Sequence, residues 1–173
     1  MAVQAHAHVR DHDIVRVWGR DPAKAAAVVE AVATEGIVAS VVDDLDAAVG
    51  EADVISCVTG ATDPLVKGAL LRPGTHVDLI GGFNHQMREA DDEVVRRASV
   101  FVDTYDDAAL AGDIAQPLER GILTRDDLVA DLAELVAGSH PGRTGDDEIT
   151  MFKSAGTAPV SYTHLTLPTI CSV

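Results

Sequence analysis

The residues best suited to chemistry sit directly after short, β-branched apolar runs. Gly19-Arg20 follows Ile14 to Trp18, Asp43-Asp44 follows Ile37 to Val42, and Thr59-Gly60 follows Asp53 to Val58. Gly81-Gly82 follows His76 to Ile80, and Asp103 closes Val100 to Val102. Glycine at such a point lets a flat or charged ligand approach the backbone closely. Arginine offers a planar fork of donors that pairs with phosphate in a bidentate way. Each also has a plainer reading, the glycines as simple turns and Arg20 as a solvated surface residue. Their recurrence favours a nucleotide-type ligand, because open α/β sheets bind ligands outside the carboxyl ends of their strands.

Other groups carry less. A carboxylate at Asp113 can pair with a substrate amine or position a water for proton transfer, but its spacing reads as the N-cap of a helix through Leu118. Lys153 either reaches a cleft or is a surface lysine after a strand. Asp21 reads as a helix cap rather than a ribose ligand. His8 and His12 have i,i+4 spacing, yet zinc takes three or four protein ligands and no convincing third joins them, so no metal is expected. The acidic pairs, Asp43-Asp44 through Asp146-Asp147, read as solvated caps and loops.

The elements that would position these residues alternate in type. Strands are expected over Ile14 to Trp18, Ile37 to Val42, Asp53 to Val58, His76 to Ile80, Val100 to Asp103 and Ile149 to Lys153. Helices are expected from Asp21-Pro22 to about Thr34 with Gly36 as the stop, over Asp44 to Val49, over Asp91 to Ala98, and through most of Tyr105 to Gly138. Asp53 to Val58 is apolar enough to be buried on both faces, as parallel strands are. The pattern implies a doubly wound parallel α/β sheet with right-handed crossovers. The 173 residues, 47% hydrophobic and only 3% aromatic, suffice for one core. A net charge of -15 opposes both a nucleic-acid partner and an anionic membrane surface. With no signal peptide or spanning run, the expected setting is cytoplasmic. Cys57 and Cys171 suggest no disulfide framework.

Taken in order, the motifs from Ala2 to Ala158 resemble the ornithine cyclodeaminase/μ-crystallin family. They are Val15-Arg16-Val17-Trp18-Gly19-Arg20-Asp21, Leu71-Arg72-Pro73-Gly74-Thr75-His76-Val77, Ile80-Gly81-Gly82-Phe83, Met87-Arg88-Glu89, Ala111-Gly112-Asp113-Ile114 and Phe152-Lys153-Ser154-Ala155-Gly156-Thr157-Ala158. The resemblance implies a Rossmann-like NAD(P)-binding domain over residues 1–159, without the first strand and the separate substrate domain. It implies hydride transfer between a nicotinamide and the α-carbon of an amino acid or cyclic imine. Asp113 matches the family's active-site aspartate, while Thr59, Gly60, Gly81, Gly82 and Lys153 would border the cofactor. Ala2-Val3-Gln4-Ala5 matches the end of the family's G-x-G-x-Q-A phosphate loop. Gly19 and Arg20 fall at the ribose-binding turn, where arginine favours NADP over NAD.

By the same resemblance, the partner is a small amino acid or imine, the parent enzyme is a homodimer, and this chain alone should be inactive. The alternatives are a non-enzymatic NADPH-dependent binder of small ligands and a nucleotide-fold interaction module. From about Val160 onward the chain departs from the family. Ser161 to Thr169 can be back-translated to TCT TAT ACA CAT CTG ACG CTG CCG ACG, resembling a sequencing-library adapter. Residues 160–173 are therefore expected to be a non-native tail.

Overall fold

A computed structural model describes residues 2–156; the expected tail at 160–173 and Cys171 lie outside them. The chain forms two compact units, divided after Glu51. In the first, α1 (Ala2–Val9) precedes β1 (Val15–Val17), α2 (Pro22–Ala33), β2 (Ala39–Val41) and α3 (Leu45–Glu51). β1 and β2 pair in parallel, Val15 opposite Ala39 and Val17 opposite Val41. Asp21 caps α2 by accepting from the backbone N–H groups of Ala23 and Lys24, with Pro22 at the first helical position. That removes orphan donors where proline has none to offer. Gly36 then takes a positive φ of 80°, which ends the helical path. Because α1 ends at Val9, His8 and His12 do not share a helical face.

The second unit contains β3 (Val54–Cys57), β4 (His76–Leu79), α4 (Asp92–Arg97), β5 (Ser99–Val102), α5 (Tyr105–Ala108), α6 (Gly112–Glu119), β6 (Leu128–Asp131), α7 (Leu132–Ala137) and β7 (Thr150–Lys153). Its sheet is parallel throughout, in the order β3-β4-β7-β5-β6. The last strand thus lies at the centre, with Lys153 level with Leu79 on one side and Val102 on the other. Val77, Leu79, Val100, Val102, Met151, Val94 and Ile114 are the buried apolar centre of this unit.

Two expectations change. Residues 128–131, placed within a helical stretch, form β6 beside β5. A Thr124–Asp127 capping box precedes β6 and an Asp131–Glu134 box starts α7, so local caps bracket a strand inside a helix-like apolar pattern. β3 is not buried on both faces: Ser56 is exposed and Val54 and Ile55 only partly covered. Among the described residues β3 pairs with β4 alone, which leaves it at the sheet edge.

Candidate functional site

Parallel pairing brings the ends of β3, β4, β7 and β5 to one edge of the second unit. Thr59-Gly60 leaves β3, Gly81-Gly82 leaves β4, Asp103 follows β5 and Ser154 follows β7. The first two turns touch. A side chain at Gly81 would place its Cβ 2.0 Å from the Thr59 carbonyl oxygen and 2.1 Å from the Thr59 nitrogen. At Gly60 the same atom would meet nothing nearer than Met87 Cε at 3.8 Å, so the backbone there is open to approach. Together the two turns make a backbone ledge.

One carboxylate fastens this ledge. Glu89 Oε1 accepts from Thr59 N at 2.6 Å and Thr59 Oγ1 at 2.9 Å; Oε2 accepts from Gly81 N at 2.9 Å and Gly82 N at 3.3 Å. The Glu89 side chain is wholly buried. Burial pushes its carboxyl above the ordinary glutamate range, opposed by the Thr59 donors, the Lys153 charge and the Gly81 N–H. Glu89 is positioned by Asp113, whose Oδ1 accepts from Glu89 N at 2.8 Å and Ala90 N at 3.1 Å. Gly112 makes this possible: it packs on the loop before Glu89, where a Cβ would stand 2.3 Å from the Met87 carbonyl oxygen.

Lys153 completes the cluster. Its Nζ lies 3.0 Å from Asp113 Oδ2 and 4.0 Å from Glu89 Oε2, with all three side chains fully buried. The Lys153–Asp113 contact is not aligned as a hydrogen bond, leaving both of these atoms without a directed partner. They stand directly behind Gly82, whose Cβ would come 3.0 Å from Asp113 Oδ2 and 3.3 Å from Lys153 Nζ. Opposite charges buried side by side each lessen the cost that the other would meet alone.

Asp103 braces the neighbouring turn, accepting from Ser154 Oγ, Ala155 N and Gly156 N at 2.8–3.1 Å. Cys57, at the end of β3, is buried, and its thiol is pushed up to about 12, first by burial and then by the Glu89 and Asp113 charges. It is poorly suited to act as a nucleophile.

The structure therefore gathers Thr59, Gly81, Gly82, Asp113 and Lys153 around Glu89, with Gly60 on the open side. Lys153 is not a surface lysine, and Asp113 does not cap its own helix, whose N-cap is Ala111. Ala2, Val3, Gln4, Gly19 and Arg20 belong to the first unit. Ala2 to Gln4 form the first turn of α1, Gln4 donates to Glu35, and Arg20 is exposed just after β1. Glu89, part of the Met87-Arg88-Glu89 motif, carries no mark of a site residue in the sequence alone. It stands among other charged residues, Arg88, Asp91, Asp92 and Glu93, so that nothing local separates it from a solvated loop acid.

A parallel α/β architecture with glycine-backed turns along its carboxyl edge is the class of protein that binds dinucleotides. The comparisons give the relationship: the chain belongs to the ornithine cyclodeaminase/mu-crystallin family, whose model matches residues 1–166. It is 44% identical over 147 residues to a delta(1)-pyrroline-2-carboxylate reductase of Paracoccus denitrificans, covering 83% of this chain and 46% of the relative. The Thermococcus litoralis delta(1)-pyrroline-2-carboxylate reductase, solved with NADH and L-proline, superposes with a TM-score of 0.86 at 31% identity, over 97% of this chain and 55% of that one. An archaeal alanine dehydrogenase dimer with bound NAD gives 0.88 at 29% identity, over 99% and 53%. The chain spans about half the length of the relatives it matches. Its fold is the Rossmann-like one, and three of its structural neighbours hold NAD or NADH. Among the described residues no helix is long and apolar enough to cross a membrane.

Proposed function

We propose that this chain is the cofactor-binding part of an NAD(P)-dependent enzyme that reduces the imine of an amino acid, of the pyrroline-2-carboxylate kind. The ledge at Thr59-Gly60 and Gly81-Gly82 carries the reading, because three of its four residues are glycine and Glu89 braces it from behind. Each unit, taken by itself, offers features suited to a dinucleotide: in the second, Gly60 leaves room for close approach to the backbone, and in the first, the exposed guanidinium of Arg20 suits the 2′-phosphate of NADP. Ala2, Val3 and Gln4 offer the amides of a helix start to the diphosphate. When bound, the nicotinamide supplies the hydride that the imine carbon takes up, the nitrogen gaining a proton. The contribution of these residues is to hold and orient the cofactor. Asp113 and Lys153, fully buried, support the ledge from beneath.

The test is titration of the chain with NADH and with NADPH, followed by quenching of Trp18, its single tryptophan. Saturable binding is expected, tighter for NADPH, with the preference lost in Arg20→Ala. No pyrroline-2-carboxylate turnover is expected from the chain alone. Failure of both dinucleotides to bind overturns the reading.

A further inference from the structure

The Glu89 carboxylate has four donors converging on it from two separate turns, and no donor of its own while it is ionised. Protonation would put an O–H where an N–H already points, so at least one of these bonds would be lost. No other side chain among the described residues joins the Thr59 turn to the Gly81-Gly82 turn by hydrogen bonds, and Gly81 can carry no side chain to do so by packing. Asp113 fixes the backbone of Glu89, and Lys153 lies 4.0 Å from its Oε2, favouring the charged form.

We propose that Glu89 is a positioning residue that, as a carboxylate, locks the Thr59-Gly60 and Gly81-Gly82 turns into the single backbone ledge against which the dinucleotide lies. The proposal rests on the dinucleotide-binding reading above. It makes the ledge a protonation-dependent device: neutral Glu89 releases the turns, and the cofactor surface loosens with them. Burial raises the affinity of this group for a proton, which moves that release to a higher pH than an exposed glutamate would give. The other titratable groups facing Glu89 are Lys153, Asp113 and the buried Cys57 thiol at the end of β3.

The experiment follows the amide signals of Thr59, Gly81 and Gly82 by nuclear magnetic resonance as the pH of the whole chain is lowered, beside NADH affinity over the same range. The three amides are expected to titrate together, with one midpoint above the ordinary glutamate range, and NADH affinity to fall at least tenfold through that midpoint. In Glu89→Gln the shared titration should vanish and NADH affinity should be weakened about tenfold at every pH. In Thr59→Val, which removes one donor and keeps the fold, the Gly81 and Gly82 amides should still titrate together. Three amides that titrate separately, or not at all, overturn the lock. A shared titration with unchanged NADH affinity overturns its role in binding and leaves the proposed function standing. Absence of NADH binding by the unaltered chain overturns both. A purely structural Glu89 would lower the melting temperature without coupling NADH affinity to the amide midpoint.

Discussion

Replacing Gly81 by alanine tests the ledge at its tightest point. The new Cβ would fall 2.0 Å from the Thr59 carbonyl oxygen, 2.1 Å from the Thr59 nitrogen and 2.5 Å from Glu89 Oε1. Relieving the first contact alone requires a displacement of over an ångström, and the atoms in the way are backbone, which cannot swing aside. Overpacking of this kind costs about 1–3 kcal/mol. Moving the turns also strains the Glu89 hydrogen bonds, each worth ~1.5–3 kcal/mol where a charged partner is involved. Losing one of them brings the sum to roughly 2.5–6 kcal/mol, a large share of the ~5–15 kcal/mol that holds a domain together. For a chain of this size the melting temperature should fall on the order of 10 °C, read by far-ultraviolet circular dichroism. Gly60→Ala is the control: its Cβ meets only Met87 Cε at 3.8 Å, and its melting temperature should stay within ~2 °C of the parent. If Gly81→Ala melts no lower than Gly60→Ala, the account of the ledge is wrong.

Three further outcomes are expected. Lys153→Met, which leaves two buried carboxylates uncompensated, should cost about 3–5 kcal/mol by urea denaturation. Adding Asp113→Asn should recover part of it, and no recovery would mean that charge is not the cause. Asp103→Ala should free the Ala155 and Gly156 amides and abolish their protection from hydrogen exchange, with a loss of ~2–4 kcal/mol; retained protection would count against that brace. Glu148 accepts from Thr144 N, Thr144 Oγ1 and Gly145 N, and its carboxyl is held down at about 2, from 4.5, first by a Ser99 side-chain hydrogen bond and then by Thr144. A carboxylate lowered in the folded state stabilises above its unfolded value and loses that contribution as pH falls through the folded one. The melting temperature of the parent should therefore drop more steeply than that of Glu148→Gln between 4.5 and about 2, and parallel curves would refute the assignment.

Local chemistry made much of the fold legible in the sequence. Asp21-Pro22 and Gly36 bound α2, Asp91 caps α4, and β-branched runs mark six of the seven strands, because caps, φ preferences and apolar period act within a few residues. The glycine pairs at the strand ends were legible for the same reason, as was the family through its ordered motifs. The sequence could not show that Leu128–Asp131 is a strand, since it becomes one by pairing with the distant β5, with Leu128 and Ala130 buried on one face. Nor could it decide Lys153. A lysine after a short strand is solvated by default, and this one is buried because the last strand enters the sheet between β4 and β5 and faces two carboxylates there. Glu89 shows the same dependence. Its four donors are 7 to 30 residues away along the chain, and only tertiary packing brings them to one carboxylate.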